Sequence, residues 1–146
     1  MKENLIDSSV VLFEVRCREN NLKITPQRTE IYKELLKAKD HPSADMMYKR
    51  IKKNLPNISF DTVYRTLLSF SEIGIADIVE GYGEPKRFDP NIHDHHHFRC
   101  IKCGNIIDFR CELYDNIEIP EEIKKEFYVT KRRVILEGIC KNCSKK

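Results

Sequence analysis

The segment SFDTVYRTLLSFSEIGIADIVEGYGEPKRFD, residues 59–89, decides the fold of the first half of the chain. Ser59 is a typical N-cap for a helix that runs from Phe60 to about Ile73, and Gly74 suits the position just past its end. Residues 75–80 and 86–89 have the composition of β-strands, and residues 81–85 that of a turn. A helix followed by a two-stranded hairpin predicts a winged helix-turn-helix, in which the hairpin is the wing.

Three further helices are predicted before this segment. Apolar residues recur with a helical period between Leu5 and Asn20. Thr25 and Pro26 are an N-cap and a first-turn proline for a second helix, which ends near Lys39. Ser43 caps a third helix, which ends before Pro56. The segment from Phe60 is therefore the recognition helix of a helical DNA-binding unit.

The second half of the chain is predicted to be richer in strands. Strands are expected over residues 95–101, 106–110 and 129–139, with a short helix at 120–127. Pro90 and Asn91 suit a hinge. The predicted fold is therefore α+β, with a winged-helix domain at 1–88, a hinge at 89–92 and a small α/β dimerisation domain at 93–146. Because so short a domain is marginal alone, it needs a metal or a partner subunit.

Four of the six cysteines form two C-x-x-C pairs, Cys100 with Cys103 and Cys140 with Cys143. Two such pairs complete a closed tetrahedron around one Zn²⁺, which leaves no open position for a substrate. The pattern predicts a structural zinc site, with reduced or redox-active cysteines as the alternative. Cys17 and Cys111 lie outside the pattern and are expected to be ordinary buried or partly buried thiols.

A run of histidines lies just before the first cysteine pair. Residues two apart share a face of a strand, so His95 and His97 point together while His96 points away. Asp108 on the next predicted strand could approach them. Spacing alone favours a histidine-rich surface strand, with a metal site as the alternative. The roles of His93 and His96 stay open.

Composition argues against a membrane or secreted protein but does not decide whether the chain binds nucleic acid. The 146 residues carry a net charge of +3, which does not by itself indicate nucleic acid. We expect a cytoplasmic protein, since the chain shows neither an apolar span of membrane length nor a secretory leader. A metal-dependent hydrolase is disfavoured because no general base or substrate motif is visible. A zinc-stapled interaction module without a role on DNA stays open.

Over essentially its whole length the sequence resembles the ferric uptake regulator family. The motifs that carry the resemblance are, in chain order, Thr25-Pro26-Gln27-Arg28, His41-Pro42-Ser43-Ala44-Asp45, Thr62-Val63-Tyr64-Arg65-Thr66-Leu67, Arg87-Phe88-Asp89, His95-His96-His97 and the two cysteine pairs. The resemblance implies a metal-dependent repressor, not an enzyme. It also implies a homodimer that binds palindromic operator DNA and no membrane.

Within the family, the chain is most similar to the peroxide-responsive branch. That similarity implies one regulatory Fe²⁺ or Mn²⁺ site formed by His41, Asp89, His95, His97 and Asp108. Aspartate at position 108 is the informative residue, because iron-sensing members usually have glutamate there. In the peroxide-responsive branch, Fe²⁺ reacts with hydrogen peroxide, ligand histidines gain oxygen and DNA is released; here those histidines are His41 and His95. The alternative is an iron-responsive or other divalent-metal-responsive repressor without peroxide sensing.

Four residues are expected to contact DNA. Tyr64 and Arg65 are expected to face DNA from the recognition helix, and Arg65 is a candidate for a guanine contact. Thr62 and Lys86 are expected to meet phosphates. The operator, the regulated genes and the physiological regulatory metal stay open.

Overall fold

The computed structural model describes residues 2–79 and 85–145, and the chain divides into two compact units, residues 1–92 and 93–146. The first unit is mainly helical, and the second contains a three-stranded sheet. None of the described helices combines the length and the apolar content that crossing a bilayer requires. The predicted α+β fold is confirmed.

The first unit consists of helices followed by a hairpin. Its described elements are α1 (Lys2–Glu19), α2 (Pro26–Lys37), α3 (Ala44–Ile51), α4 (Phe60–Glu72), β1 (Asp77–Val79) and β2 (Arg87–Asp89). The predicted caps Thr25, Ser43 and Ser59 each accept a backbone N–H from three residues further on, which confirms them. β1 and β2 pair antiparallel.

An aromatic cluster lies at the centre of this unit. The Phe13 and Tyr32 rings stack at 4.8 Å, and Phe70 meets both rings edge-on at 5.6 Å. Cys17 is fully buried beside them, as expected for a core thiol. The cluster joins α1, α2 and α4, and therefore holds α4 against α1 and α2.

The predicted strand at residues 75–80 is wrong at its start. The N–H groups of Ile75 and Ala76 both donate to the carbonyl of Phe70, at 3.0 and 3.3 Å, and so close the end of α4 instead of joining a sheet. Gly74 permits this closure with a φ of +80°. β1 therefore begins at Asp77. Residue 80 and residues 81–84 of the predicted turn at 81–85 lie outside the described residues.

The second unit has strand order β4-β3-β5. Its described elements are β3 (His96–Cys100), β4 (Ile106–Phe109), α5 (Glu112–Asp115), α6 (Glu121–Glu126), β5 (Ile135–Gly138) and α7 (Lys141–Ser144). β3 pairs antiparallel with β4 and parallel with β5. The four-residue helices α5 and α7 were not predicted, because one turn is too short to show a period.

The predicted strand at residues 129–139 is wrong over its first part, since β5 begins only at Ile135. The N–H of Val134 donates to His96 Nδ1 at 3.0 Å, so a side chain takes the place of a sheet partner. The sheet is consequently short.

Candidate metal centres and nucleic-acid surface

The four cysteines of the two C-x-x-C pairs converge in the second unit. The sulfur atoms of Cys100, Cys103, Cys140 and Cys143 all lie within 4.8 Å of one another. The Cys103 and Cys140 sulfurs are 3.8 Å apart. Zn–S bonds of 2.3 Å in a tetrahedron place sulfurs about 3.8 Å apart, so this cluster is consistent with structural zinc.

The pKa values of two thiols in this cluster are shifted in opposite directions. Backbone N–H groups of Cys103 and Cys140 lower the pKa of Cys100 to about 6. The pKa of Cys143 rises to about 12, first because its thiol shares a hydrogen bond with Cys140. Four thiolates so close together need a cation to neutralise them, and Zn²⁺ supplies that charge when bound.

A second set of donors lies immediately before β3, on β3 and on β4 of the same unit. The register places His97 opposite Asp108, and His97 Nε2 lies 3.1 Å from Asp108 Oδ1. His95 Nε2 lies 3.0 Å from His97 Nε2 and 3.6 Å from the same carboxylate oxygen. These three donor atoms therefore all lie within 3.6 Å of one another.

The three consecutive histidines at 95–97 are all buried, with at most 2% of each residue exposed. The favoured sequence interpretation, a histidine-rich surface strand, is therefore wrong. Removing an imidazole from water costs free energy, so buried imidazoles are normally hydrogen-bonded or bound to an ion.

His96 points away from the other two histidines, as strand alternation predicts. Its Nδ1 accepts the N–H of Val134, so Nε2 carries the proton and donates to Asp115 Oδ1 at 2.7 Å. This imidazole ties β3 to α5 and to the start of β5. It is a structural group rather than a further ligand of the His95–His97 set.

The remaining two predicted ligands are neighbours in the first unit. His41 Nε2 lies 3.4 Å from Asp89 Oδ2, and both residues are buried. His41 precedes α3, and Asp89 ends β2. The Phe88 N–H donates to the Pro42 carbonyl at 2.9 Å, which brings the loop and the strand together.

Each unit thus supplies its own set of imidazole and carboxylate donors. Neutral imidazole nitrogen with carboxylate oxygen is a donor combination that suits Fe²⁺, Mn²⁺ and Zn²⁺. The imidazole and carboxylate donors are therefore candidate ligands for a regulatory metal, chemically distinct from the all-sulfur cluster.

The predicted DNA contacts lie on or near α4 and β2. Arg65 is 78% exposed and pairs with Asp61, Nε to Oδ2, at 2.9 Å. Tyr64 is half-buried and stacks on Phe60 at 6.2 Å between ring centres. The Thr62 hydroxyl shares a hydrogen bond of 2.8 Å with the Ser59 cap. Lys86 is exposed just before β2.

Comparison with known proteins agrees with this arrangement. The profile of the ferric uptake regulator family matches residues 19–137. The peroxide-responsive repressor PerR of Staphylococcus saprophyticus is 38% identical over 129 residues, which cover 88% of this chain and 87% of that protein.

Two solved structures extend the comparison. The Helicobacter pylori ferric uptake regulator Fur shares the fold, with a TM-score of 0.79 at 23% identity over 97% of this chain and 95% of its own. The Campylobacter jejuni peroxide stress regulator has a TM-score of 0.67 at 32% identity over 86% of this chain and 95% of its own.

The partner of His96 and the surroundings of His41 were not predictable from local sequence patterns. Asp115 follows its histidine by 19 residues on an unpredicted one-turn helix, so no local pattern indicated the pair. Around His41, Arg50 and Arg87 contact the preceding loop. Arg87 belongs to the Arg87-Phe88-Asp89 motif of the family resemblance, but an arginine in a sequence does not indicate that its side chain binds backbone carbonyls.

We expect Cys143→Ser to lose its zinc and to unfold the second unit, because structural zinc contributes on the order of 10 kcal/mol to folding. Zinc per chain and the circular-dichroism melting curve measure this. Cys111→Ser is the matched control, since Cys111 lies outside the four-sulfur cluster, and it should keep its zinc. Full zinc content in Cys143→Ser would contradict the assignment.

Proposed function

The chain belongs to the ferric uptake regulator family of metal-dependent, DNA-binding transcriptional repressors, and we propose that it senses hydrogen peroxide through its regulatory metal ligands. Family membership makes it a regulator rather than an enzyme. The observation that carries the proposal is the pairing of His97 with Asp108, an aspartate where iron-sensing members usually have glutamate.

A single Fe²⁺ or Mn²⁺ ion takes its ligands from both units in this proposal. His41 and Asp89 come from the first unit, and His95, His97 and Asp108 come from the second. The support is that each set is already assembled within its own unit, with Nε2 and carboxylate oxygens at 3.0–3.6 Å. The zinc of the four cysteines has a structural role only.

Binding of one ion by both sets fixes the orientation of residues 1–88, the winged-helix domain, relative to residues 93–146, the dimerisation domain. Residues 89–92 are the hinge. A differential metal affinity of a few kcal/mol for the closed arrangement suffices to shift the population strongly. Metal-free protein leaves the two recognition helices of a dimer poorly spaced for successive major-groove half-sites.

An apolar row on the sheet supports a homodimer. Phe98 stands opposite Ile107 on one side and Leu136 on the other, so the three share a face. Ile107 is 47% exposed and Leu136 is 41% exposed. Apolar surface of this kind is typical of a protein interface. A second copy of the chain is the partner that palindromic operators require.

When bound, Fe²⁺ supplies the one-electron chemistry that converts hydrogen peroxide into an oxidant of nearby imidazoles. His41 and His95 are the proposed targets, one in each unit. A ligand imidazole that gains oxygen binds metal poorly, so the units separate and the DNA is released. Manganese in the same place supports DNA binding without this reaction.

Arg65 is proposed to contact a guanine from α4, and Arg65→Ala should weaken binding of the selected duplex by about 1–3 kcal/mol. The duplex is first selected from a random pool with Mn²⁺-loaded protein, and affinity is measured by fluorescence anisotropy. Arg65→Lys keeps the charge and loses the bidentate geometry, so it should recover little of the specific affinity. Lys124→Ala, on α6 of the second unit, is the control; equal affinity for Arg65→Ala and wild type would refute the contact.

Peroxide sensing predicts that Fe²⁺-loaded protein gains one oxygen at His41 or His95 when exposed to a small excess of hydrogen peroxide, whereas Mn²⁺-loaded protein does not. Tandem mass spectrometry of tryptic peptides localises the oxygen. The peptide 40–49 contains Met46 and Met47, which peroxide oxidises directly, so fragment ions must separate these from His41.

The peptide 88–99 carries its own controls, because His93 and His96 lie beside His95 in it. Asp108→Glu is the matched variant and should oxidise less while keeping metal-dependent DNA binding. If both histidines of the Fe²⁺ form stay unmodified while metal-dependent binding persists, the chain is an iron-responsive or other divalent-metal-responsive repressor without peroxide sensing.

A further inference from the structure

The loop that carries His41 is attached to β2 by main-chain contacts. The Phe88 N–H donates to the Pro42 carbonyl at 2.9 Å, and Ser43 forms an isolated antiparallel bridge with Arg87. The loop therefore behaves as a short third strand beside the hairpin. This pairing is what brings His41 next to Asp89.

The Arg87 side chain reinforces the same junction. Its Nη2 donates to the Asp40 carbonyl at 2.6 Å, and its Nε donates to the His41 carbonyl. One planar guanidinium thus holds two consecutive carbonyls of the loop. Arginine suits this task because its donors are fixed in one plane.

The backbone of His41 needs such support. Its φ is +49°, in the left-handed region that residues with a Cβ avoid. A conformation of this kind persists only where the surrounding structure holds it, and such positions cluster at functional sites. Arg87 binds the carbonyl of this residue.

Asp40 is held from its other end by α3. Arg50 donates from Nη1 to Asp40 Oδ1 at 3.1 Å and from Nη2 to Oδ2. The residue before the ligand is therefore fixed by its side chain to α3 and by its carbonyl to β2.

We propose that Arg87 is a positioning residue for the regulatory metal: it holds the Asp40–His41 backbone so that the His41 imidazole and the Asp89 carboxylate form a preassembled pair before metal binds. The inference rests on the proposed function of His41 and Asp89 as ligands. Because the loop is already ordered, metal binding does not incur the entropy cost of ordering it, and the affinity of the site for metal is higher. An arginine at the wing would ordinarily be assigned to a DNA phosphate; its donors here bind the protein's own carbonyls.

The first test is Mn²⁺ affinity of the full-length, zinc-loaded protein, measured by competition with a fluorescent chelator. Arg87→Met keeps an apolar stem and removes the donors, so it should bind Mn²⁺ roughly tenfold to a hundredfold more weakly. Arg87→Lys should fall between that variant and wild type. Lys53→Met removes an exposed cation from the same unit and should leave Mn²⁺ affinity unchanged.

The second test is amide hydrogen exchange of metal-free protein, which does not depend on the metal-bound state. The Phe88 amide should lose protection in Arg87→Met, while the Leu67 amide in the buried middle of α4 should keep it. Arg50→Gln releases only the Asp40 carboxylate, so its effect on both readouts should be smaller.

The outcomes separate the two proposals. The positioning role is overturned if Arg87→Met binds Mn²⁺ as tightly as wild type, or if its Phe88 amide stays protected. It is also overturned if Arg87→Met loses protection through all of α2–α4, because the residue would then stabilise the whole unit and not the loop. If His41→Ala binds Mn²⁺ as tightly as wild type, the ligand assignment fails instead; the exchange measurement still decides whether Arg87 holds the loop.

Discussion

Each unit of this chain places a buried histidine Nε2 beside a carboxylate oxygen, and the surrounding contacts hold this pair in place. Burial of ionisable groups is unfavourable unless they are paired, hydrogen-bonded or bound to a cation. His41 with Asp89 and His97 with Asp108 meet that requirement at 3.4 and 3.1 Å. In the proposed mechanism, one divalent cation neutralises both carboxylates at once. Metal binding and the arrangement of the units are thereby the same event in the proposed mechanism.

β3 connects the regulatory ligands to the zinc cluster. His97 lies beside Asp108 in the proposed ligand set. His96, on the other face of the strand, binds Asp115. Phe98 belongs to the apolar row with Ile107. Cys100 ends the strand and belongs to the four-sulfur cluster. A zinc ion held by that cluster would fix one end of β3, and the proposed regulatory ligands lie at the other end.

The local patterns of the sequence predicted much of the fold. Ser59 and Gly74 bounded α4 correctly because capping depends on a few adjacent residues. The two C-x-x-C pairs identified the sulfur cluster because the spacing within each pair is itself a geometric requirement. Strand ends were less predictable, since Ile75 was taken up by the end of α4 and Val134 by His96.

The rest of the candidate site depends on contacts between distant residues. Arg87 reaches Asp40 across 47 positions, and no periodicity encodes that contact. The histidine run was ambiguous for a similar reason: alternation shows which residues share a face but not whether that face is covered. Burial of all three histidines settled the matter, and only the folded sheet could show it.

The central claim is that one ion takes ligands from both units, and a Mn²⁺ titration of zinc-loaded wild type, His41→Ala and His97→Ala tests it most directly. We expect wild type to bind one Mn²⁺ per chain, and both variants to lose that site by a similar factor although the substituted residues belong to different units. Wild-type affinity in His41→Ala would contradict the claim, because it would confine the regulatory site to His95, His97 and Asp108.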